Sequence, residues 1–341
     1  MKRKCLAVGI ILLFIGTCII PAIAQNIEKT LPTSRGNWLY VGGSGPGNYT
    51  KIQDAIDNAS DGDTVFVFDD SSPYCEEIEI RKSINLIGEN HNTVIDGMNE
   101  MAHCITIWAD YVTISCFSII NFLRGMYVSG DNAVISNILF TNNNLCGVSL
   151  IFTKNSIVSN NIFKNSRIGL ELAESSNNLI SQNEITGCED GIHFYIPASD
   201  NTIINNEITK NVNGIYFKAF DWEYKAYIIE NTIVQYNNIT DNSIGINIFG
   251  KFKNGVIENN NFIENDISFF YKIFLGQRLK INANFWREIK LLPKVIPGLA
   301  LIYLFTNNVN PKNPFDVFLY IPKIIFDWHP AQEPYDITGM T

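Results

Sequence analysis

The sequence predicts an all-β solenoid, a single-stranded parallel β-helix with coils of about 22 residues. Short apolar strands follow a glycine at a nearly constant interval: "GMYV" at 125, "GVSL" at 147, "GLEL" at 169, "GIHF" at 191, "GIYF" at 214 and "GINI" at 245. "SFFY" at 268 continues the series with Ser in place of Gly, and the intervals are 22, 22, 22, 23, 31 and 23 residues. A second strand motif recurs with them, from "NAVISNIL" at 132 through "NTIINNEI" at 201 to "NGVIENNNF" at 254. Each apolar run is short and alternates, whereas a helical repeat needs runs of about 10 residues or more. A leucine-rich repeat would carry leucine at fixed positions and a helical return, and neither is present. A unit this small cannot bury its own apolar face, but it can do so when stacked on its neighbours.

The chain has 341 residues, 46% hydrophobic and 17% charged, enough to bury a core. Its first 24 residues read as a secretory signal peptide. Lys2, Arg3 and Lys4 make a positive start, an apolar run extends from Cys5 to Ile20, and Pro21–Ala24 ends in small residues before Gln25. A retained membrane anchor is the bland alternative. Cleavage would change the formal charge from −9 to −12, with 22 basic against 34 acidic residues. Such a surface repels phosphate backbones, so nucleic acid is not an expected partner. Five cysteines remain, Cys75, Cys104, Cys116, Cys146 and Cys188. Their odd number and lack of CxxC spacing fit buried thiols better than a zinc site or a disulfide framework.

Two segments follow the leader: the solenoid over 38–285, then a C-terminal cap and tail over 286–341. At the start of the solenoid, Ile52, Ala55, Ile56 and Ala59 recur at helical spacing, with Thr50 as the expected N-cap. The asparagines mark the bends, because Asn tolerates the left-handed region and its amide can stack coil on coil. Asn137, Asn160, Asn183 and Asn206 form one expected ladder. Asn143, Asn211, Asn242 and Asn265 form another, interrupted by Cys188. Asn132, Asn155, Asn178, Asn201, Asn231 and Asn254 mark a third corner. In the C-terminal segment the longest apolar run, "GLALIYLF" (298–305), is far short of the roughly 20 residues of a membrane span, so none is expected in the mature chain.

These coils resemble the secreted right-handed parallel β-helix proteins with a pectin-lyase-like fold. More narrowly, they resemble the NosD-type β-helix repeats of bacterial and archaeal surface proteins. "YTKIQDAIDNASDGDTVFV" (49–67) and "YCEEIEIRKSINLIGENHNTVIDG" (74–97) fit the start of that family, where the first segment is a helix capping the first coil. "IPKIIFDWHPAQEPYDI" (321–337) is similar to tails on its archaeal members. The resemblance spans roughly 38–285 and is specific for fold and poor for function. It implies that any site lies on outward side chains of one sheet and on flanking loops.

Alternation on the post-glycine strands puts Tyr127, Ser149, Glu171, His193, Tyr216 and Asn247 in one outward column. The 31-residue coil inserts a loop carrying Phe220, Asp221, Trp222, Glu223 and Tyr224 beside it. Exposed rings with carboxylates suit carbohydrate, because a ring stacks on a pyranose face while acids accept hydroxyl protons. The competing reading folds the loop onto the coil with its aromatics buried. The expected binding residues are Tyr216, Trp222, Tyr224, Glu223, Asp221, Tyr127 and Asn247, and the weak catalytic candidates are Glu171 and His193. The column offers no second carboxylate to Glu171, as a glycoside hydrolase requires. No cofactor is expected: copper needs clustered His, Met or Cys, His91, His103, His193 and His329 are scattered, and calcium has no specific support. The sequence therefore predicts an exported or cell-surface monomer that binds a polysaccharide or surface glycan without catalysis. A lyase or hydrolase on the same face and a purely structural surface element are the alternatives.

Overall fold

The computed structural model describes residues 36–195, 197–219, 228–274, 280–282, 284–286, 294–303, 318–327, 331, 334, 335 and 337. The expected leader lies outside them, as do Asp221, Trp222, Glu223, Tyr224 and His329. The chain winds through three sheets. The first runs from Trp38–Val41 to Lys280–Asn282, the second from Val94–Asp96 to Phe285–Trp286, and the third from Ile78–Ile80 onwards. Pairing within the coils is parallel and in register, as in Ile135↔Val158, Phe140↔Phe163 and Val148↔Leu170 on the three sheets in turn. The third sheet continues past the last coil through Lys294–Tyr303, and Phe318–Asp327 adds to it antiparallel.

Within the described coils the strands bury alternate residues in one continuous core. Ile135, Val158, Ile180, Ile203, Val234 and Ile257 stack with no exposure behind the first sheet. Behind the second, the Phe140 and Phe163 rings stack 5.0 Å apart at 4°. Full burial of one such side chain stabilises by roughly 1.5–3 kcal/mol. Stacking identical residue types gives each the same neighbour above and below.

The helix α1, Ile52–Asn58, buries Ile52, Ala55 and Ile56 against the first coil, as its spacing predicts. Thr50 does not cap it. Lys51 holds the N-cap position in an extended conformation without a side-chain bond. The Glu76 carboxylate accepts the N–H groups of Ile52 at 2.9 Å and Gln53 at 3.1 Å instead. A distant carboxylate on the positive end of the helix replaces the local hydroxyl.

The corners correct the asparagine assignments by one residue. Asn137 and Asn160 are left-handed, with φ of 54° and 57°, whereas Asn183 and Asn206 occupy the next position along and point inward. The left-handed positions beside those two are Gln182 and Asn205. A corner is therefore a dipeptide: the first residue turns the chain and the second bonds inside it. The inward ladder is Asn161, Asn183, Asn206, Asn237, Asn260 and Asn284, each amide donating to the next. The third corner divides the same way. Asn132, Asn155, Asn231 and Asn254 turn the chain, while Asn178 and Asn201 are buried and bonded at 3.1 Å. The ladder Asn211, Asn242, Asn265 stands as expected, and Cys188 interrupts it below, its N–H donating to Asn211 Oδ1.

The recurrent glycines are not bends. Gly191 lies inside a strand, and a Cβ there would sit 2.5 Å from the carbonyl oxygen of Gly214 in the next coil. Close stacking of backbones, not a positive φ, demands glycine at that position. The five cysteines among the described residues are free thiols; Cys104, Cys146 and Cys188 are buried and Cys75 is exposed.

Candidate functional site

The outer face of the third sheet is set by the alternation that builds the core. Ile192 and Phe194 point inward without exposure, as do Val148, Leu150, Leu170, Leu172, Ile215 and Phe217. The residues between them form one column. Thr106, Tyr127, Ser149, Glu171, His193, Tyr216 and Asn247 are successive register partners. The coil spacing of about 4.8 Å separates neighbours. The structure thus brings Tyr127, Glu171, His193, Tyr216 and Asn247 together as the sequence predicts.

His193 departs from expectation in its environment. It projects away from the core, yet it is 8% exposed. Its Nδ1 lies 2.7 Å from Asp190 Oδ2. Asp190, also buried, accepts from Asn213 Nδ2 at 2.8 Å, and Asn213 accepts from Asn247 Nδ2 at 3.0 Å. An ionised Asp190 makes Nδ1 the protonated nitrogen and leaves the Nε2 lone pair as a potential base. Nε2 is buried and has no partner among the described residues. The Tyr216 ring stands 5.1 Å from the imidazole and the Tyr195 ring 6.0 Å. Burial, then the Asp190 charge, pushes the Tyr216 hydroxyl above its ordinary range. Lys218 Nζ lies 5.1 Å from the Tyr195 ring centre, and below His193 the Ser149 hydroxyl donates to Glu171 Oε2 at 2.9 Å.

A second cluster lies nearer the N-terminal end of the same face. Tyr127 is 5.7 Å from Trp108 and 6.0 Å from His103, ring to ring. Trp108 is 44% exposed, with Arg81 Cζ 5.8 Å from its ring. Its indole N–H donates to Glu79 at 3.3 Å. Hydrogen bonds from Arg81 and then Trp108 hold the Glu79 carboxyl below its ordinary value. His103 and Arg124 are register partners, and His103 Nδ1 and Arg124 Nε are buried without partners among the described residues. Burial, and then the neighbouring Arg124, lowers the His103 pKa.

Sequence reasoning missed Asp190, Asn213, Trp108, His103 and Arg124. Two signals were available. Asp190 stands three residues before His193 in "EDGIH", and extending the outward row one coil below Tyr127 reaches Thr106 and Trp108. Glu184 and Glu207 are register partners on the second sheet, where Lys164 pairs with Glu184 at 3.0 Å and Asn238 donates to Glu207 at 2.9 Å.

The architecture and outer face define a right-handed β-helix protein of the pectin-lyase-like class. A family model described as periplasmic copper-binding protein (NosD) matches residues 56–232, more than half of the chain, and the chain belongs to that family. Among solved structures the chain is similar to polygalacturonase from Erwinia carotovora ssp. carotovora. That match has 12% identity and a TM-score of 0.54, covering 74% of this chain and 89% of that one. It is also similar to the A-module of mannuronan C-5 epimerase AlgE4 from Azotobacter vinelandii. There the identity is 14% and the TM-score 0.50, covering 68% and 89%. At these identities the likeness is one of fold. No curated protein matches the sequence.

The family description raises copper, so the donors need testing. Asp190 holds His193 Nδ1, and His91 Nε2 lies 2.9 Å from the Asn137 carbonyl oxygen. Burial raises the Cys104 and Cys146 thiols well above their ordinary value and pushes Cys188 up to about 11, so none offers a ready thiolate. Among the described residues no three His, Cys, Asp or Glu side chains come together to hold an ion. These donors do not fit a copper site.

Proposed function

We propose that this is an exported surface protein that binds a polysaccharide or cell-surface glycan along the outer face of its third sheet, without catalysis. One observation carries the reading. The buried side-chain polar atoms lacking a partner among the described residues are His103 Nδ1, Arg124 Nε and His193 Nε2, all on strands of that sheet. Leaving a buried polar group unbonded costs about 1–3 kcal/mol, a cost that hydroxyl-rich ligand contacts would offset once side-chain movement opened the site. Trp108 and Tyr127 at one end and Tyr195 and Tyr216 at the other offer rings for sugar faces. Tyr127 and Tyr216 are four coils apart, about 19 Å, which suits an extended chain rather than a single sugar. The loop residues Asp221, Trp222, Glu223 and Tyr224 remain part of the proposed site through their place in the sequence after Tyr216. Asn247 supports it through Asn213. The N-terminal segment and the family's periplasmic description support export.

Polygalacturonase and the mannuronan epimerase, by their names, act on polysaccharides. A second reading, catalysis on the same face, is favoured by the Asp190–His193 pair, with Glu171 and Tyr216 one coil to either side. A glycan-binding screen run beside assays for reducing-sugar and unsaturated-uronate release separates the two. Binding without product supports the proposal, and product release lost in Glu171→Ala or His193→Gln moves the protein to the enzymatic reading. Binding unchanged in Trp108→Ala, Tyr216→Ala and Trp222→Ala sinks the site.

A further inference from the structure

A separate feature lies on the first sheet, at the N-terminal end of the solenoid. Strands Trp38–Val41 and Thr64–Val67 pair with Tyr40 opposite Phe66. Inward alternation of Val41, Val65 and Val67 leaves Trp38, Tyr40 and Phe66 on the outer face. Phe68 extends the group, its ring 5.1 Å from Phe66 and 6.0 Å from Tyr40. Trp38 is 54% exposed and Tyr40 40%. The loop "GGSGPGN" (42–48) packs against Phe68 and leaves an open, shallow cleft of about 350 Å³ bounded by Tyr40, Gly43, Ser44, Asn48, Phe68 and Asp70. Gly43 has a φ of 70°, and a Cβ on it would sit 2.8 Å from the Phe68 ring, so only glycine lets the loop lie this close.

The cleft is acidic as well as aromatic. Asp70 Oδ1 accepts the Gly43 N–H at 2.9 Å and the Ser71 hydroxyl at 3.0 Å, which fixes the carboxylate in place. The ion pairs recorded among the described residues all lie elsewhere. Asp69 and Glu89 stand close by, joined through the Asp69 N–H at 3.1 Å. The Tyr74 hydroxyl is pushed up to about 12, by burial first and then by Asp70, Glu76 and Asp69 among the carboxylates around it. Ring faces beside a fixed carboxylate without a cationic partner are the arrangement that attracts an organic cation.

We propose that the cleft between Tyr40, Phe68 and Asp70 binds an ammonium group, primary or quaternary, with the rings against the cation and the Asp70 carboxylate as counter-ion. The site is independent of the glycan face, since it lies on another sheet. Any charged amine-bearing molecule small enough for the cleft qualifies. The test is titration of the full chain with tetramethylammonium, choline and n-butylamine, followed by calorimetry and by Trp38 and Tyr40 ring resonances. Glucose and N-acetylglucosamine serve as neutral controls. The expected result is saturable binding of the cations that is not matched by the sugars and weakens about tenfold or more in Asp70→Asn and in Tyr40→Ala. Asp70→Asn keeps an oxygen for the Gly43 N–H, so the loop stays closed, and an unchanged melting temperature verifies it. No saturable cation binding, equal binding of the neutral sugars, or cation affinity unchanged in Asp70→Asn would overturn the proposal.

Discussion

Two columns of polar side chains climb this solenoid, one residue per coil, and they differ in whether their hydrogen bonds are complete. In the inward ladder Asn206 is typical. Its Oδ1 accepts from Asn183 N and Nδ2, both at 3.0 Å, and its Nδ2 donates to Asn237 Oδ1 and Ile180 O, also at 3.0 Å. In the outward column of the third sheet, Ser149 bonds Glu171 and Asp190 bonds His193, but among the described residues the chain of bonds stops at His193 Nε2. Repetition alone therefore does not separate scaffold from site. A column that satisfies every donor with its own neighbours has nothing left for a ligand. One that leaves buried nitrogen unpaired keeps a recognition capacity at a cost in stability.

The comparison is most easily broken at the inward ladder. Asn206→Leu would strand the Asn183 backbone N–H, leave Asn183 Nδ2 with only the Val158 carbonyl and Asn237 Oδ1 with only the Asn206 N–H, and take the side-chain donor from the Ile180 carbonyl. At about 1–3 kcal/mol per unsatisfied group, the expected loss is roughly 3–6 kcal/mol in urea unfolding of the full chain. A loss below about 1 kcal/mol would mean that the ladder is ornament. Gly191→Ala comes next. Its Cβ would meet the Gly214 carbonyl oxygen, which is backbone and cannot swing aside, so the coils must part locally. The expected cost is about 1–3 kcal/mol, read from the same unfolding curve.

His193→Gln sharpens the contrast from the other side. Glutamine keeps a donor for Asp190, so stability should stay within about 1 kcal/mol of the parent, while glycan affinity falls about tenfold or more. If stability drops as far as in Asn206→Leu while affinity holds, the outward column is scaffold as well.

How much of this was legible depends on the range of the interaction that decides each feature. The coil period, the post-glycine strand and the outward column follow from local alternation, so "GIHF" and "GIYF" already place His193 beneath Tyr216, whereas the second strand motif divides at a corner into two strands, as in Val134–Ser136 and Leu139–Thr141. The asparagine ladders were found but displaced, because a left-handed Asn and an inward-bonding Asn are the same letter. Only φ values separate Asn160 from Asn161. Glu76 capping a helix 24 positions earlier in the chain has no local signature, so Thr50 was the natural but wrong choice. Asp190 carries no mark of its own in "EDGIH", since its meaning comes from the buried imidazole it meets. The loop residues 221–224 lie outside the described residues, which leaves the column as the part of the expected site given a geometry.

The smallest expected effect concerns a third stack, Glu184 and Glu207 on the second sheet, which sets like charges one coil apart. Burial, and then the Glu184 charge, raises the Glu207 carboxyl above its ordinary value, while the Asn238 hydrogen bond opposes the shift. A carboxyl with a folded-state pKa above its unfolded one binds its proton more tightly when folded. Its contribution to stability is fully present below the unfolded value and is lost as pH rises through the folded one. At neutral pH the ionised Glu207 is therefore a small liability. Glu207→Gln retains an oxygen for Asn238 and removes the charge, so it should unfold slightly later than the parent at pH 7. The gain should shrink as pH falls into the carboxylate range and vanish below it. Paired melts at pH 7 and pH 4 read this directly. A variant less stable than the parent at pH 7 would mean that the ionised carboxylate is worth more to its neighbours than burial and Glu184 take away, and that this stack is a bonded column like the inward ladder.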